Sequence, residues 1–300
     1  MAKRTIRVQK GENVWIHLFF ILFCTVCFLI PFIYVISISM SSKESIIADG
    51  YRLWPKQVDF TAYKMVLADP TQIIDSYKVT IASTFLGTFT GVFLMALIAY
   101  PLSRSNFVFR KHITFYLYFT TLFGGGLIPT YILCTQYLHL GNSFWIYLVT
   151  GIISPWNIII IRTFFQGIPT SLVEASKIDG ASEMTIFFKI ILPLSKPVIA
   201  TISVMLMLAR WNDWNTSLIY IQDSSLYTLQ YLLQKILKNA EFVENMSKQG
   251  LIMTNTTIQE APTESMKFAM VVIAAGPMFF VFPFFQKYFA QGLTVGAVKG

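Results

Sequence analysis

Ile168-Pro169-Thr170-Ser171-Leu172-Val173-Glu174-Ala175-Ser176-Lys177-Ile178-Asp179-Gly180-Ala181, running on to Ile190-Ile191-Leu192-Pro193, is the stretch on which the reading of this chain turns. It reads as a helix, a glycine break and a second helix. Ser171, with Glu174 three residues on, matches a capping box. Ala175 and Ser176 are small, so another surface can approach closely. Gly180 permits a turn that a residue with a Cβ resists. Phe187 and Phe188 supply apolar anchoring, and Pro193 is expected to end the second helix.

Outward from this loop the chain is strongly apolar. A bilayer core of about 30 Å needs roughly 20 apolar residues of helix. No Asp, Glu, Lys or Arg lies between Glu12 and Lys43, which predicts a first span at about 15–40. The charge-free run Val79–Ser103 predicts a second at 79–103. Ile113–Ile161 is charge-free and long enough for two, at 113–137 and 143–161, divided by a turn at Leu138–Ser143. Gly124-Gly125-Gly126, followed by Pro129, should break or kink the third, or let a neighbour approach closely. A sixth span fits 268–286, between Lys267 and Lys287.

The fifth span is less regular. Val198–Ala209 is 12 residues, about 18 Å of helix, too short to cross. Pro197 suits a first helical turn, so the span is placed at 197–220, continuing past Arg210. The remaining segments are an inner loop 162–196, outer segments 43–78 and 221–266, and a tail 287–300. All belong to a single transmembrane domain across 1–300.

Composition agrees with lipid as the main solvent. Hydrophobic residues make up 55% and charged residues 13% of the 300, too few charges to cover a soluble surface. The formal net charge of +8 is scattered beside apolar spans rather than gathered in a stripe, which reads as topology and not as nucleic-acid binding. With both termini cytoplasmic, inner segments hold 13 of the 23 Lys/Arg and four of the 15 acids. That is the sign the positive-inside rule requires. The basic start, Lys3, Arg4, Arg7 and Lys10, then reads as the flank of a first transmembrane helix and not of a cleavable signal.

Several chemistries find no residues. No Gly-x-x-x-x-Gly-Lys-[Ser/Thr] loop occurs to cradle ATP. Neither His-Glu-x-x-His nor Gly-x-Ser-x-Gly is present, and His17, His112 and His139 are far apart. Cys24, Cys27 and Cys134 lie in apolar runs and read as small packing residues. The chain is therefore expected to carry no catalytic group, metal or cofactor of its own.

The loop resembles the EAA loop of binding-protein-dependent ABC importer permeases. Glu174, Ala175, Gly180, Ile190, Leu192 and Pro193 fall at the family spacing, with Ser176 in place of the second alanine. Tyr227-Thr228-Leu229, Phe268–Pro277 and the ending Gly292-Leu293-Thr294-Val295-Gly296-Ala297-Val298-Lys299-Gly300 are similar to the carbohydrate branch typified by the MalG-like permeases of maltose transporters. The Gly-Gly-Leu-Ile-Pro-Thr-Tyr run at 125–131 looks like the LplB/YtcP-like permeases.

That resemblance implies an all-α integral membrane protein with six transmembrane helices, the type I importer (MetI-like) permease fold and cytoplasmic termini. It implies that Glu174, Ala175, Ser176, Asp179, Gly180 and Ala181 form a coupling helix seated in a cytoplasmic ATPase dimer, whose subunits bind ATP and Mg. It implies that Gly292, Leu293, Thr294, Gly296 and Lys299 belong to a tail reaching into that dimer. A second homologous permease subunit, an extracytoplasmic substrate-binding protein, a sugar and the bacterial cell membrane complete the implied partners.

If the fifth helix continues outward, Arg210, Trp211, Asn212, Asp213, Trp214 and Asn215 lie at membrane depth, where polar groups must face protein or water. Arg210 and Asp213 are spaced to pair, and the two Trp rings suit stacking on sugar faces. An interfacial aromatic belt is the other reading of the same residues. Leu226–Lys238 carries Leu229, Leu232, Leu233, Ile236 and Leu237 on one side, for a membrane surface or a partner. The 239–262 stretch, with Glu241, Glu244, Glu260 and Pro262, is where the resemblance puts contact with the binding protein. A secondary transporter and a non-transporting membrane scaffold are the alternatives. The first would place ionisable residues inside the spans, away from helix ends, and spans 1–4 and 6 offer no such charges; the second leaves the loop unexplained.

Overall fold

Where apolar runs are long and their ends carry caps, helices follow. The computed structural model describes residues 14–248 and 264–297, and every regular element among them is helical. The chain divides into two units, 1–68 with 237–273, and 69–236 with 274–300.

In the first unit, α1 (Val14–Ser39) is apolar over 26 residues, about 39 Å, and leaves nearly all its side chains exposed. Such a helix has lipid or another protein for solvent. α2 (Lys43–Asp49) is capped by Ser42, whose hydroxyl accepts from the Ser45 amide at 3.2 Å. α3 (Thr61–Val66) starts where Asp59 accepts from the Thr61 amide at 2.9 Å. Ser41 forms an antiparallel bridge with Val58, and its carbonyl accepts from Ser265 Oγ at 2.7 Å.

The second unit is organised on α4 (Pro70–Ser103), an unbroken helix of 34 residues. It begins nine residues before the expected start. Asp69 accepts from the Gln72 amide at 3.2 Å and Pro70 occupies the first position. Lys78, the charge that borders the expected span, pairs with Asp75 at 2.8 Å on one face of this extension. Farther along, small residues let other backbone close in: a Cβ on Gly91 would meet the Ile152 carbonyl oxygen at 3.0 Å.

α5 (Arg110–Leu122) and α6 (Leu127–Tyr137) meet at 112°. The break falls at the expected glycines, where Gly126 has φ +83. The fourth expected span is two pieces, α7 (Trp145–Val149) and α8 (Pro155–Gln166). Gly151 at φ +68 turns the chain, and Ser154 with Pro155 starts a new helix.

α9 (Thr170–Ile178), α10 (Glu183–Leu194) and α11 (Lys196–Trp211) follow. α10 ends at Leu194, one residue beyond the expected stop at Pro193. The wide π-type turn at Phe187–Ile191 precedes it, and the chain bends 78° only at Ser195. α11 in turn stops at Trp211, short of the continuous helix expected to Tyr220, and α12 (Asn215–Tyr220) is a separate turn and a half. α13 (Leu229–Lys248) starts by packing on this chain's own α4: Leu229 is fully buried and its amide donates to Thr80 Oγ1 at 2.8 Å. α14 (Glu264–Ala297) overruns both limits of the expected sixth span and carries Pro277 and Pro283 within it.

The core of this unit lies where α4, α8, α10 and α11 converge. Met95, Ile158, Phe165, Phe187, Ile191 and Ile202 have essentially no exposed surface there. Ile168 and Val173 join the same cluster, which roots the 162–196 loop in the helix bundle.

Candidate functional site

α8 and α9 meet at 73°, so the chain turns sharply away from the bundle at Gly167–Pro169. The capping box expected at Ser171 does not form. Pro169 precedes the helix with fixed φ, α9 begins at Thr170, and Ser171 is its second residue without a capping bond. The real cap belongs to the second arm, where Ser182 Oγ accepts from the Thr185 amide at 3.2 Å.

Between the arms, Gly180 takes φ +79. This left-handed residue lets the Ala181 amide reach back to the Ser176 carbonyl at 2.9 Å, closing the helix end. The result is a tight hairpin. Val173 points into the core, while Glu174, Ala175, Asp179 and Gly180 are exposed, and Ser176 and Ala181 are half-buried. Ile178 is 87% exposed, an apolar side chain offered at the tip.

Behind the tip sits a charged group that the sequence reading passed over. Glu183 accepts from Tyr100 Oη at 2.6 Å and pairs with Lys177 through its other oxygen. Lys177, then Tyr100, hold its carboxyl below the usual carboxylate range. The Tyr100 ring lies 5.4 Å from that of Phe187, and the Arg104 guanidinium stands 4.9 Å above it. A serine two residues after the glycine was the local signal for the cap. Nothing local points from Glu183 to Tyr100, 83 residues away.

The other expected group, 210–215, is not gathered into one site. Arg210 donates through Nη1 to the Tyr147 carbonyl, and its Nε and Nη2 are buried without a partner. It does not pair with Asp213 as expected, because Asp213 accepts instead from the Thr216 amide at 3.0 Å and starts α12. Trp211, 4% exposed, donates from Nε1 to the Ala274 carbonyl at 3.1 Å, so its ring is closed to a solute in this conformation. Trp214 is half-buried; Asn212 and Asn215 are exposed.

Beside them lies a buried hydroxyl network. Tyr147 Oη lies 2.6 Å from Ser217 Oγ and donates to the Leu226 carbonyl at 2.8 Å. Ser217 Oγ is 3.0 Å from Thr228 Oγ1, which donates to the Asp213 carbonyl at 2.9 Å.

Of the expected tail, Gly292, Leu293, Thr294 and Gly296 lie along the α14 backbone, while Lys299 is outside the described residues, as are Glu260 and Pro262. Among the described residues no three His, Cys, Asp or Glu side chains cluster to hold a metal.

Long apolar helices and an exposed hairpin fit a membrane protein, and the family comparison gives its class. Residues 13–295 match the binding-protein-dependent transport system inner membrane components, and the chain belongs to that family. It is thus a non-catalytic permease component of an ABC transporter. It is 38% identical over 289 residues to the polygalacturonan/rhamnogalacturonan transport system permease protein YtcP of Bacillus subtilis, covering 96% of this chain and 98% of that one. It is 37% identical over 272 residues to protein LplC of the same organism, covering 91% and 90%. The structure is similar, at a TM-score of 0.77 and 28% identity, to a chain in the crystal structure of a bacterial ABC transporter involved in import of the acidic polysaccharide alginate; 95% of this chain and 100% of that one are covered.

Proposed function

We propose that this chain is a permease subunit of an ATP-driven, binding-protein-dependent importer of oligosaccharides in the bacterial cell membrane. It crosses the bilayer six times with both termini in the cytoplasm. A second, homologous permease subunit completes the path, and an extracytoplasmic binding protein delivers the sugar. The α9–α10 hairpin seats in a cytoplasmic ATPase dimer, which binds the ATP and Mg, and the 292–300 tail reaches into the same dimer.

The observation that carries this reading is the hairpin: small and charged residues exposed at a left-handed glycine turn, with Val173 anchored in the bundle core. No reacting group is needed there. The device is a rigid knob that another polypeptide pushes. Membership in a binding-protein-dependent family weighs against a secondary transporter driven by an ion gradient.

The named cargoes of the relatives, polygalacturonan and rhamnogalacturonan for one and alginate for another, make acidic oligosaccharides the first substrates to test. Asn212, Asp213, Trp214 and Asn215 are the path-lining candidates, with Arg210 as their cation. Trp211 leaves that set in this conformation because its ring is buried.

The test is reconstitution of the chain with its companion permease and ATPase in liposomes. Labelled oligogalacturonides and neutral oligosaccharides are then supplied with the binding protein. Uptake requiring both ATP and the binding protein is expected. Uptake driven by an ion gradient without the ATPase would overturn the proposal.

A further inference from the structure

We propose that Glu183 and Tyr100 form the strut through which the hairpin moves α4; this rests on the coupling function proposed above. A single carboxylate joins three pieces of chain. One oxygen takes the Lys177 ammonium from the first arm of the hairpin, and the other takes the Tyr100 hydroxyl from α4, while Glu183 itself opens the second arm. Both arms are thereby tied to the inner end of the longest helix in the unit.

Val173, Ile186 and Phe187 pack with Met95, Ala96 and Ala99 in one buried cluster, so shape already joins the hairpin to α4, and the hydrogen bond adds a directional tie at one point of that packing. A hydrogen bond to an ionised oxygen is short and weakens steeply as the donor is displaced. The 2.6 Å Tyr100–Glu183 bond therefore fixes the register of hairpin against helix. Phe187 packs on the Tyr100 ring at a tilt and the Arg104 guanidinium stands over it, which limits the positions open to its hydroxyl.

From there α4 carries the displacement along its length. It is unbroken for 34 residues, about 51 Å. On the way it meets the Ile152 backbone at Gly91, the Arg210 guanidinium at Gly87 and the start of α13 at Thr80. A movement at the hairpin thus reaches Arg210 and the hydroxyl network without passing through a loop. Tyr100 and Glu183 are positioning residues, since neither touches nucleotide or sugar.

The experiment uses the assembled transporter and reads the ratio of binding-protein-stimulated to basal ATP hydrolysis, together with uptake per assembled complex. Tyr100→Phe removes the hydroxyl and keeps the ring. Glu183→Gln removes the charge. Each is expected to lower the ratio and the uptake about tenfold, with basal hydrolysis and subunit copurification retained. The double variant should lose less than the product of the two single effects, because both substitutions act on the same charge-assisted bond.

A wild-type ratio for Tyr100→Phe overturns the strut, as do additive effects of the two substitutions. Loss of copurification in parallel with the ratio also overturns it, because the pair would then be holding the fold together. Gly180→Val, assayed alongside, separates this from the parent reading. If it transports normally, the coupling hairpin itself fails; if it is inactive while Tyr100→Phe is normal, only the strut fails.

Discussion

The hairpin at 170–194 and the turn at 145–151 with 211–229 are both breaks in helical chain within one unit, yet they treat their polar groups in opposite ways. In the hairpin the tip faces out: Glu174, Asp179 and Gly180 are exposed, and Ile178 has almost no contact with its own chain. In the other turn, Tyr147, Ser217 and Thr228 are buried and bonded to each other or to backbone carbonyls. A surface left open invites a partner, whereas a satisfied buried network specifies one arrangement. The difference separates a surface left open from a turn whose arrangement is fixed.

Substitutions at the two places should separate these roles, beginning with the largest effect. Gly180→Val puts a β-branched residue at φ +79, which such residues rarely adopt, and should reduce uptake to the background of cells lacking the transporter while membrane insertion stays normal. Gly180→Asn, which tolerates that conformation, should keep most of the activity; equal loss in both would point to contact size rather than backbone shape. At the other turn, Tyr147→Phe strips Ser217 of a partner and leaves the Leu226 carbonyl unpaired. Thermal unfolding in detergent should shift down by about 2–6 °C, with transport by the remaining folded protein near normal.

Smaller again is Ser182→Ala, which removes the cap of α10. A loss of about 1 kcal/mol should appear as faster proteolysis within 178–186 and a decline in uptake of less than about threefold.

Much of the helical order was legible because charge is so sparse that its absence marks a span. The errors share a cause. A charge-free window measures contact with lipid, not helix length, so the border at Lys78 concealed the first nine residues of α4. Gly151 and Pro155 were visible in the chain, but an unbroken apolar run hid the division they impose between α7 and α8. At the hairpin, the Ser171–Glu174 spacing satisfied a rule whose premise, a helix beginning at Leu172, fails because α9 already begins at Thr170 after Pro169. Gly180 was readable because a positive φ is a property of one residue. The pairing of Tyr100 with Glu183 was not, since it depends on how α4 and α10 pack and leaves no spacing to find.

The halt of α11 at Trp211 leaves three residues, Asn212, Asp213 and Trp214, outside regular helix. The chain closes this gap from within: the Asn212 amide donates to the Leu208 carbonyl, the Asp213 amide to the Arg210 carbonyl, and the Asp213 carbonyl accepts from Thr228 Oγ1. An interruption whose backbone is met by its own fold can be carried in an apolar surrounding without water to line it, so the kink comes at little cost in desolvation.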